Sequence, residues 1–207
     1  MKLLDKLKKY LKNNKKSLTF LMIIFLIGII SGSIFSVTLK ESDNLLVKNY
    51  LDNFLVSIFD NNLIYFDSFI STLISNIIIL ICIWLFGISI IGLPIILIIF
   101  FYKSFILGFT LGSILLNYKV KGILLSVIYI FPHLIIDIFM LITFCIIAIN
   151  ISKKILSALL KKSEVSFKTI SSNYLISLLI CIGITLITSL YSSYLVPNII
   201  KLIPLFK

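Results

Sequence analysis

Three titratable side chains lie in stretches of the chain that are otherwise apolar: Lys103, His133 and Asp137. A charge at the centre of a membrane-spanning helix costs about 2.5–3.5 kcal/mol on insertion scales, so each of these residues needs a physical reason to be there. Together they have the chemistry to relay a proton, bind an ion or switch between two paired states. The alternative is a structural clamp that fixes the register of the helices, and the sequence leaves both interpretations open.

The spacing of these residues predicts that they meet. Asp137 follows His133 by four residues, so the two side chains share one helix face. Lys103 and Asp137 fall in consecutive antiparallel apolar runs, about 12 Å and 18 Å from the same membrane face at 1.5 Å per residue. A Lys103–Asp137 pair across the bundle is therefore predicted.

The composition places the whole chain in a membrane. Of its 207 residues, 60% are apolar and 13% are charged, and the mean hydropathy is +1.18. So few charges could not cover the surface of a soluble domain of this size. The net charge of +11 comes from lysines that flank the apolar runs, where they orient helices and contact anionic lipid headgroups. We therefore do not expect a nucleic-acid partner.

The sequence predicts no catalytic residues. Cys82, Cys145 and Cys181 lie far apart in apolar runs and lack the spacing of metal ligands. A phosphate loop, a nucleophile elbow and a zinc-protease motif are all missing, and no polar stretch is long enough for a separate soluble domain. We expect no enzymatic activity, no metal and no cofactor.

Five apolar runs predict an all-α, polytopic helix bundle. The membrane domain, 18–196, contains spans at about 18–39, 69–90, 95–116, 123–149 and 174–196, with a polar loop at 151–172 and a short tail at 197–207. Pro132 should kink the fourth span. The break from Gly87 to Pro94 leaves open whether a re-entrant turn or an extra crossing lies there.

Lysine counts predict the orientation. Segments on the side of the N-terminus carry 7 lysines in 2–16 and 5 in 153–168, whereas the other side carries 6 lysines and five of the eight acids. The positive-inside rule therefore places the N-terminus in the cytoplasm and the C-terminus outside. The basic amphipathic segment 1–17 is suited to lie on anionic headgroups of the cytoplasmic surface.

The outer segment 40–68 is predicted to contain an amphipathic helix. Its apolar residues recur at helical spacing and define a candidate partner-docking face: Tyr50, Leu51, Phe54, Leu55 and Ile58. Alternatively, this face lies on the bilayer or caps the protein's own bundle.

Two glycine pairs predict close helix approach. Gly108 and Gly112 form a GxxxG pattern in the third span, as do Gly28 and Gly32 in the first. The pattern is common in apolar helices, so it does not say which helices meet. Self-association into a homo-oligomer is left open by the sequence.

One block of residues resembles a known family. The sequence from Trp84 to Pro94, followed by Lys103 and by Gly108-Phe109-Thr110-Leu111-Gly112, is similar to the stage II sporulation protein M family. The segment Phe131-Pro132-His133, with the acid at Asp137, resembles a proline–histidine and acid pattern of the wider family. The resemblance covers nearly the whole chain. Leu134 departs from it, because many of those wider relatives carry glycine there.

The resemblance implies a role in engulfment during endospore formation, at the sporulation septum. It implies a membrane-embedded subunit that anchors stage II sporulation proteins D and P, which degrade septal peptidoglycan. A non-enzymatic membrane scaffold is therefore the predicted function. The alternative is a small-solute or ion permease subunit that uses Lys103, His133 and Asp137, with 151–172 docking a cytoplasmic energy-coupling partner.

Overall fold

The computed structural model describes residues 9–60, 64–89, 91–127, 131–161 and 167–201, and within these ranges the chain is helical apart from short turns. In chain order the helices are α1 (Lys15–Val37), α2 (Glu41–Phe59), α3 (Tyr65–Gly87), α4 (Gly92–Leu125), α5 (Phe131–Lys161), α6 (Phe167–Leu190) and α7 (Val196–Lys201), with a π-helical turn at Tyr191–Leu195.

Five stretches of the described chain are long and apolar enough to cross a membrane. They correspond to α1, α3, α4 and α5 and to a continuous segment formed by α6, the π-helical turn and α7. The predicted all-α bundle with five spans is therefore confirmed. Helices satisfy every backbone hydrogen bond within one segment, which is what the hydrocarbon interior requires.

The distribution of side chains is that of a protein solvated by lipid. Large apolar side chains such as Ile30, Ile98 and Ile187 point outward, whereas hydroxyl side chains such as Ser104 and Thr185 are buried. In water this arrangement would be unfavourable. In a bilayer it is the stable one, because hydrocarbon solvates the isoleucines, and the Ser104 and Thr185 hydroxyls donate to carbonyls of their own helices.

The closest helix contact is a glycine seam between α1 and α4. A methyl group on Gly28 would lie 2.5 Å from Ser104 Cβ, and one on Gly108 would lie 2.6 Å from Ile29 Cα. Gly32 and Gly112 meet the facing helix just as closely. The Ser33 hydroxyl donates to the Gly108 carbonyl at 3.0 Å, which adds a hydrogen bond across the seam. Backbones can approach this closely only where the facing residues are small.

The two ends of the bundle are defined by polar contacts. At the N-terminal end, Asn150 of α5 donates to the Tyr10 hydroxyl at 2.9 Å and to Asn14 at 2.8 Å. At the opposite end, which we call the far end, α2 lies against the close of α4. There Tyr118 donates to Asp52 at 2.6 Å.

The break from Gly87 to Pro94 is a tight turn between two spans at the N-terminal end. The Tyr174 hydroxyl, which donates to the Ile83 carbonyl at 3.1 Å, occupies the space that a side chain at Gly87 would need. A side chain at Gly92 would overlap the Phe86 carbonyl. The turn therefore depends on both glycines, and α3 and α4 are separate spans that pack against each other.

The turn after the third span lies between the predicted spans 95–116 and 123–149, whereas the predicted loop 151–172 differs from the structure. Lys119 has a φ of 49° inside α4, and Gly122 packs on the Ile114 backbone, so the chain reverses there. The expected loop 151–172 is helical as far as Lys161, because buried residues recur at helical spacing: Ile151, Ser152, Ile155 and Ala158. The kink expected before Pro132 falls on residues 128–130, outside the described chain.

Replacing Gly32 with alanine should destabilise the seam by about 1–3 kcal/mol, because the methyl group has to displace backbone atoms of α4. The matched control is Gly183→Ala in α6, where a Cβ meets nothing within 4 Å. Thermal unfolding of the detergent-purified protein measures both effects. Equal melting temperatures for the two variants would contradict the seam.

Candidate functional site

A cavity of about 420 Å³ lies between α3, α4, α5 and α6. Two stripes of small polar side chains face it. The stripe on α3 consists of Ser71, Thr72, Ser75 and Asn76, and the stripe on α6 and the π-helical turn consists of Thr185, Thr188, Ser189 and Ser192. Both follow the i, i+3/i+4, i+7 spacing of one helix face. The two polar faces thus line one cavity, although Ser71 and Ser75 of α3 are also exposed at the protein surface.

Lys103 enters the cavity from α4. It lies eleven residues after Gly92, or about 16 Å along the helix axis. Its ammonium group donates to Asn76 Oδ1 at 2.6 Å. A neutral amide therefore stabilises a cation near the middle of the span, where hydrocarbon would not solvate it.

Asp137 enters the same cavity from α5 and accepts a hydrogen bond from the Thr188 hydroxyl at 2.6 Å. His133 lines the cavity one helical turn away. Lys103 and Asp137 line the same cavity, but in the described chain each makes its direct polar contact with a neutral side chain. The structure thus brings the three predicted residues together around one cavity.

The cavity has an apolar floor at its N-terminal side. Leu80 on α3 and Phe100 on α4 both lie closer to the N-terminal end than Asn76 and Lys103 do, and both are buried. Leu141 and Phe144 continue this layer on α5, below Asp137. The tightly packed floor separates the polar cavity from the N-terminal end of the bundle.

The predicted docking face on α2 divides into two parts. Ile58 is completely buried against Val196 and Ile200, at 0% exposure, and Leu51, Phe54 and Leu55 also pack on this far-end cluster. Tyr50, by contrast, is 74% exposed. Most of the predicted face therefore caps the protein's own bundle, as one of the alternatives envisaged.

Sequence reasoning missed the neutral partners of the two charges. Asn76 and Thr188 were overlooked because only ionisable residues were treated as exceptions within the spans. The helical spacing of hydroxyl and amide residues in α3 and α6 could have predicted two polar faces that include Asn76 and Thr188. Within the described ranges, no three His, Cys, Asp or Glu side chains are grouped as metal ligands would be.

Comparison with known families gives a match over most of the chain. The family described as Stage II sporulation protein M matches residues 21–197, from the first span to the beginning of α7. The chain belongs to the stage II sporulation protein M family. No curated protein and no solved structure matches it.

The family match includes every part of the cavity and the glycine seam. Within it, the block from Trp84 to Pro94 builds the α3–α4 turn, where Trp84 and Phe144 stack on Tyr174 with ring centroids 6.0 and 5.7 Å away. This member of the sporulation family is thus a multi-pass membrane protein with a polar interior.

Replacing Thr188 with valine keeps the side-chain shape but removes the hydrogen bond to Asp137. A hydrogen bond to a charged group contributes about 1.5–3 kcal/mol, so we expect a loss of that order in the free energy of unfolding. Thr143→Val in α5 is the matched control, because its hydroxyl bonds to the Phe139 carbonyl of its own helix outside the cavity. Denaturation in mixed micelles measures the free energy of unfolding of both variants. An equal loss in the two variants would show that the hydrogen bond to Asp137 does not stabilise the protein.

Proposed function

We propose that the protein is a non-enzymatic membrane scaffold that anchors a septal peptidoglycan-degrading complex during engulfment. Family membership supports the sporulation role. The observation that carries the scaffold role is an exposed apolar face on α2, a helix that lies outside the five spans and is fixed rigidly to the far end of the bundle.

Three contacts hold α2 in place. Ile58 is buried in one apolar cluster with Val196 and Ile200, and Asp52 accepts the hydrogen bond from Tyr118. Asn117 adds a longer contact to Asn44, at 3.4 Å. A helix held at both ends presents its outward side in one orientation, and such preorganisation lowers the entropic cost of binding a partner.

The outward side of α2 is apolar without being covered. We call the side chains Leu45, Leu46, Tyr50 and Val56 the α2 outer face, and all of them are more than half exposed. Asn49 and Asn53 lie among them on the same side of the helix. An exposed tyrosine within an apolar patch that carries few charges is typical of the centre of a protein interface.

The distribution of lysines supports a proposal for the side of the membrane on which the α2 outer face lies. Lys9, Lys12, Lys15 and Lys16 lie at the N-terminal end with Lys153 and Lys154 of α5, whereas Glu41, Asp43 and Asp60 flank α2 at the far end. By the positive-inside rule, we propose that the lysine-rich end faces anionic lipids of the cytoplasmic leaflet and that α2 lies outside the cytoplasm. Septal peptidoglycan lies on that outer side.

We propose stage II sporulation proteins D and P as the partners, on the basis of the family resemblance. Neither needs a catalytic group from this chain, because the peptidoglycan chemistry is theirs. The chain supplies a fixed position in the membrane and a surface to hold them there.

A permease subunit is the second candidate, because the polar cavity offers a place for a solute. Transport requires access to that place from both ends. The buried layer of Leu80, Phe100 and Phe144 closes the N-terminal side in this conformation. The scaffold proposal needs no such rearrangement and is therefore preferred.

The test of the scaffold is a double substitution, Leu46→Asp with Tyr50→Asp, in the tagged protein purified from sporulating-cell membranes. We expect recovery of proteins D and P to fall at least tenfold, because carboxylates in the centre of an apolar interface lose their hydration. Quantitative immunoblotting measures the recovery.

The matched control is Val120→Asp, at a side chain as exposed as Tyr50, 74% in both cases, on the same end of the bundle. It should leave both the membrane level and the recovery unchanged. Undiminished recovery with the double variant would refute docking on the α2 outer face.

A further inference from the structure

The cavity carries one fixed positive and one fixed negative charge, contributed by two different helices. Lys103 stands on α4 and Asp137 on α5, and His133 is the third titratable group that faces the cavity. With His133 neutral, the charges of the lining sum to zero. A ligand with a net charge would leave one of the two fixed charges uncompensated, which is costly in a low-dielectric interior.

Both charges keep hydrogen-bonding capacity. An ammonium group has three donors, and in the described chain Lys103 uses one of them on Asn76. A carboxylate has about four acceptor positions, and Asp137 receives one hydrogen bond from a side chain, that of Thr188. Two charges paired directly would satisfy each other. Because Lys103 and Asp137 are held by neutral neighbours instead, the ammonium group can still donate to a third molecule and the carboxylate can still accept from it.

A buried hydroxyl gives an independent indication of a ligand. Ser189 is 1% exposed and lines the cavity, and its Oγ has no hydrogen-bond partner among the described residues. The next turn of the same segment is π-helical and places Ser192 on the cavity wall. Single π-helical turns inside α-helices occur frequently at functional sites.

We propose that the cavity binds a small zwitterion, a molecule with one acid group and one ammonium group. The acid group accepts hydrogen bonds from Lys103, the ammonium group donates to Asp137, and Ser189 bonds to the ligand between them. This site goes beyond the scaffold role, and neither depends on the other, because the α2 outer face and the cavity share no residue.

The volume limits the ligand to small molecules. A cavity of about 420 Å³ lies in the lower part of the range of ligand pockets, about 300–1,000 Å³. The occupant has two potential sources with the same chemistry, a free amino acid and the headgroup of an ethanolamine lipid.

The experiment uses the full chain in nanodiscs of phosphatidylcholine, whose headgroup has no N–H donor. The probes are glycine, L-alanine and L-serine as free zwitterions, glycerophosphoethanolamine as the lipid headgroup, and propionate and ethylamine as singly charged analogues. At a free zwitterion concentration of ten times its Kd, we expect the Tm of the protein to rise by roughly 3–5 °C. Isothermal titration calorimetry then gives the Kd.

Lys103→Gln and Asp137→Asn should each weaken binding of that zwitterion at least tenfold, because each removes one charge-assisted hydrogen bond. Ser189→Ala tests the site with both charges intact and should weaken binding about threefold or more. Its matched control is Ser177→Ala, which removes an exposed hydroxyl on the same helix and should leave Kd unchanged. If Lys103→Gln and Asp137→Asn do not fold, the comparison of Ser189→Ala with Ser177→Ala tests the proposal.

Stabilisation by an amino acid supports a free solute as the ligand, and stabilisation by glycerophosphoethanolamine alone supports a lipid headgroup. The proposal is overturned if no zwitterion binds, if propionate or ethylamine binds as well as the zwitterions, or if Ser189→Ala and Ser177→Ala bind equally.

Discussion

The structure depends on the glycine seam between α1 and α4. Hydrocarbon solvates apolar side chains as well as a neighbouring helix does, so burial of apolar surface does not by itself hold spans together. Gly28, Gly32, Gly108 and Gly112 instead let two backbones approach until dispersion contacts and the Ser33 hydrogen bond stabilise the pair. Helices α3 and α5 pack beside α4, and α6 packs on α3 and α5, so that polar side chains of these helices line one cavity.

The bundle has three different layers along its axis. A packed apolar layer around Phe100 and Phe144 lies between the N-terminal end and the polar cavity, and the far end carries α2. A scaffold needs a rigid base and a presented surface, and this arrangement provides both. In the described chain, Lys103 and Asp137 also lie at membrane depth without a direct ion pair, because each bonds to a neutral side chain.

Much of the fold could be predicted from the sequence, because long apolar runs have few alternatives in a bilayer. The meeting of Lys103, His133 and Asp137 around one cavity followed from helix periodicity and antiparallel order. The partners of the GxxxG pairs could not be assigned, because glycine spacing says that a helix approaches closely but not which one. The orientation of α2 was equally undetermined, since lipid, a partner protein and the bundle itself are all apolar surfaces. Asn76 and Thr188 were not predicted as partners of the two charges, although they recur with other polar residues at helical spacing in α3 and α6.

The accessibility of a single cysteine tests whether water reaches the polar cavity between α3, α4, α5 and α6. In a variant with alanine at Cys82, Cys145 and Cys181, a cysteine at buried Ser192 is compared with one at Ile187, which is 68% exposed towards lipid. A small, water-soluble thiosulfonate added to intact membranes should modify position 192 and leave position 187 unmodified, because thiolates react where water reaches them. Modification of position 187 with protection of position 192 would show that water does not reach the cavity and that position 187 does not face lipid.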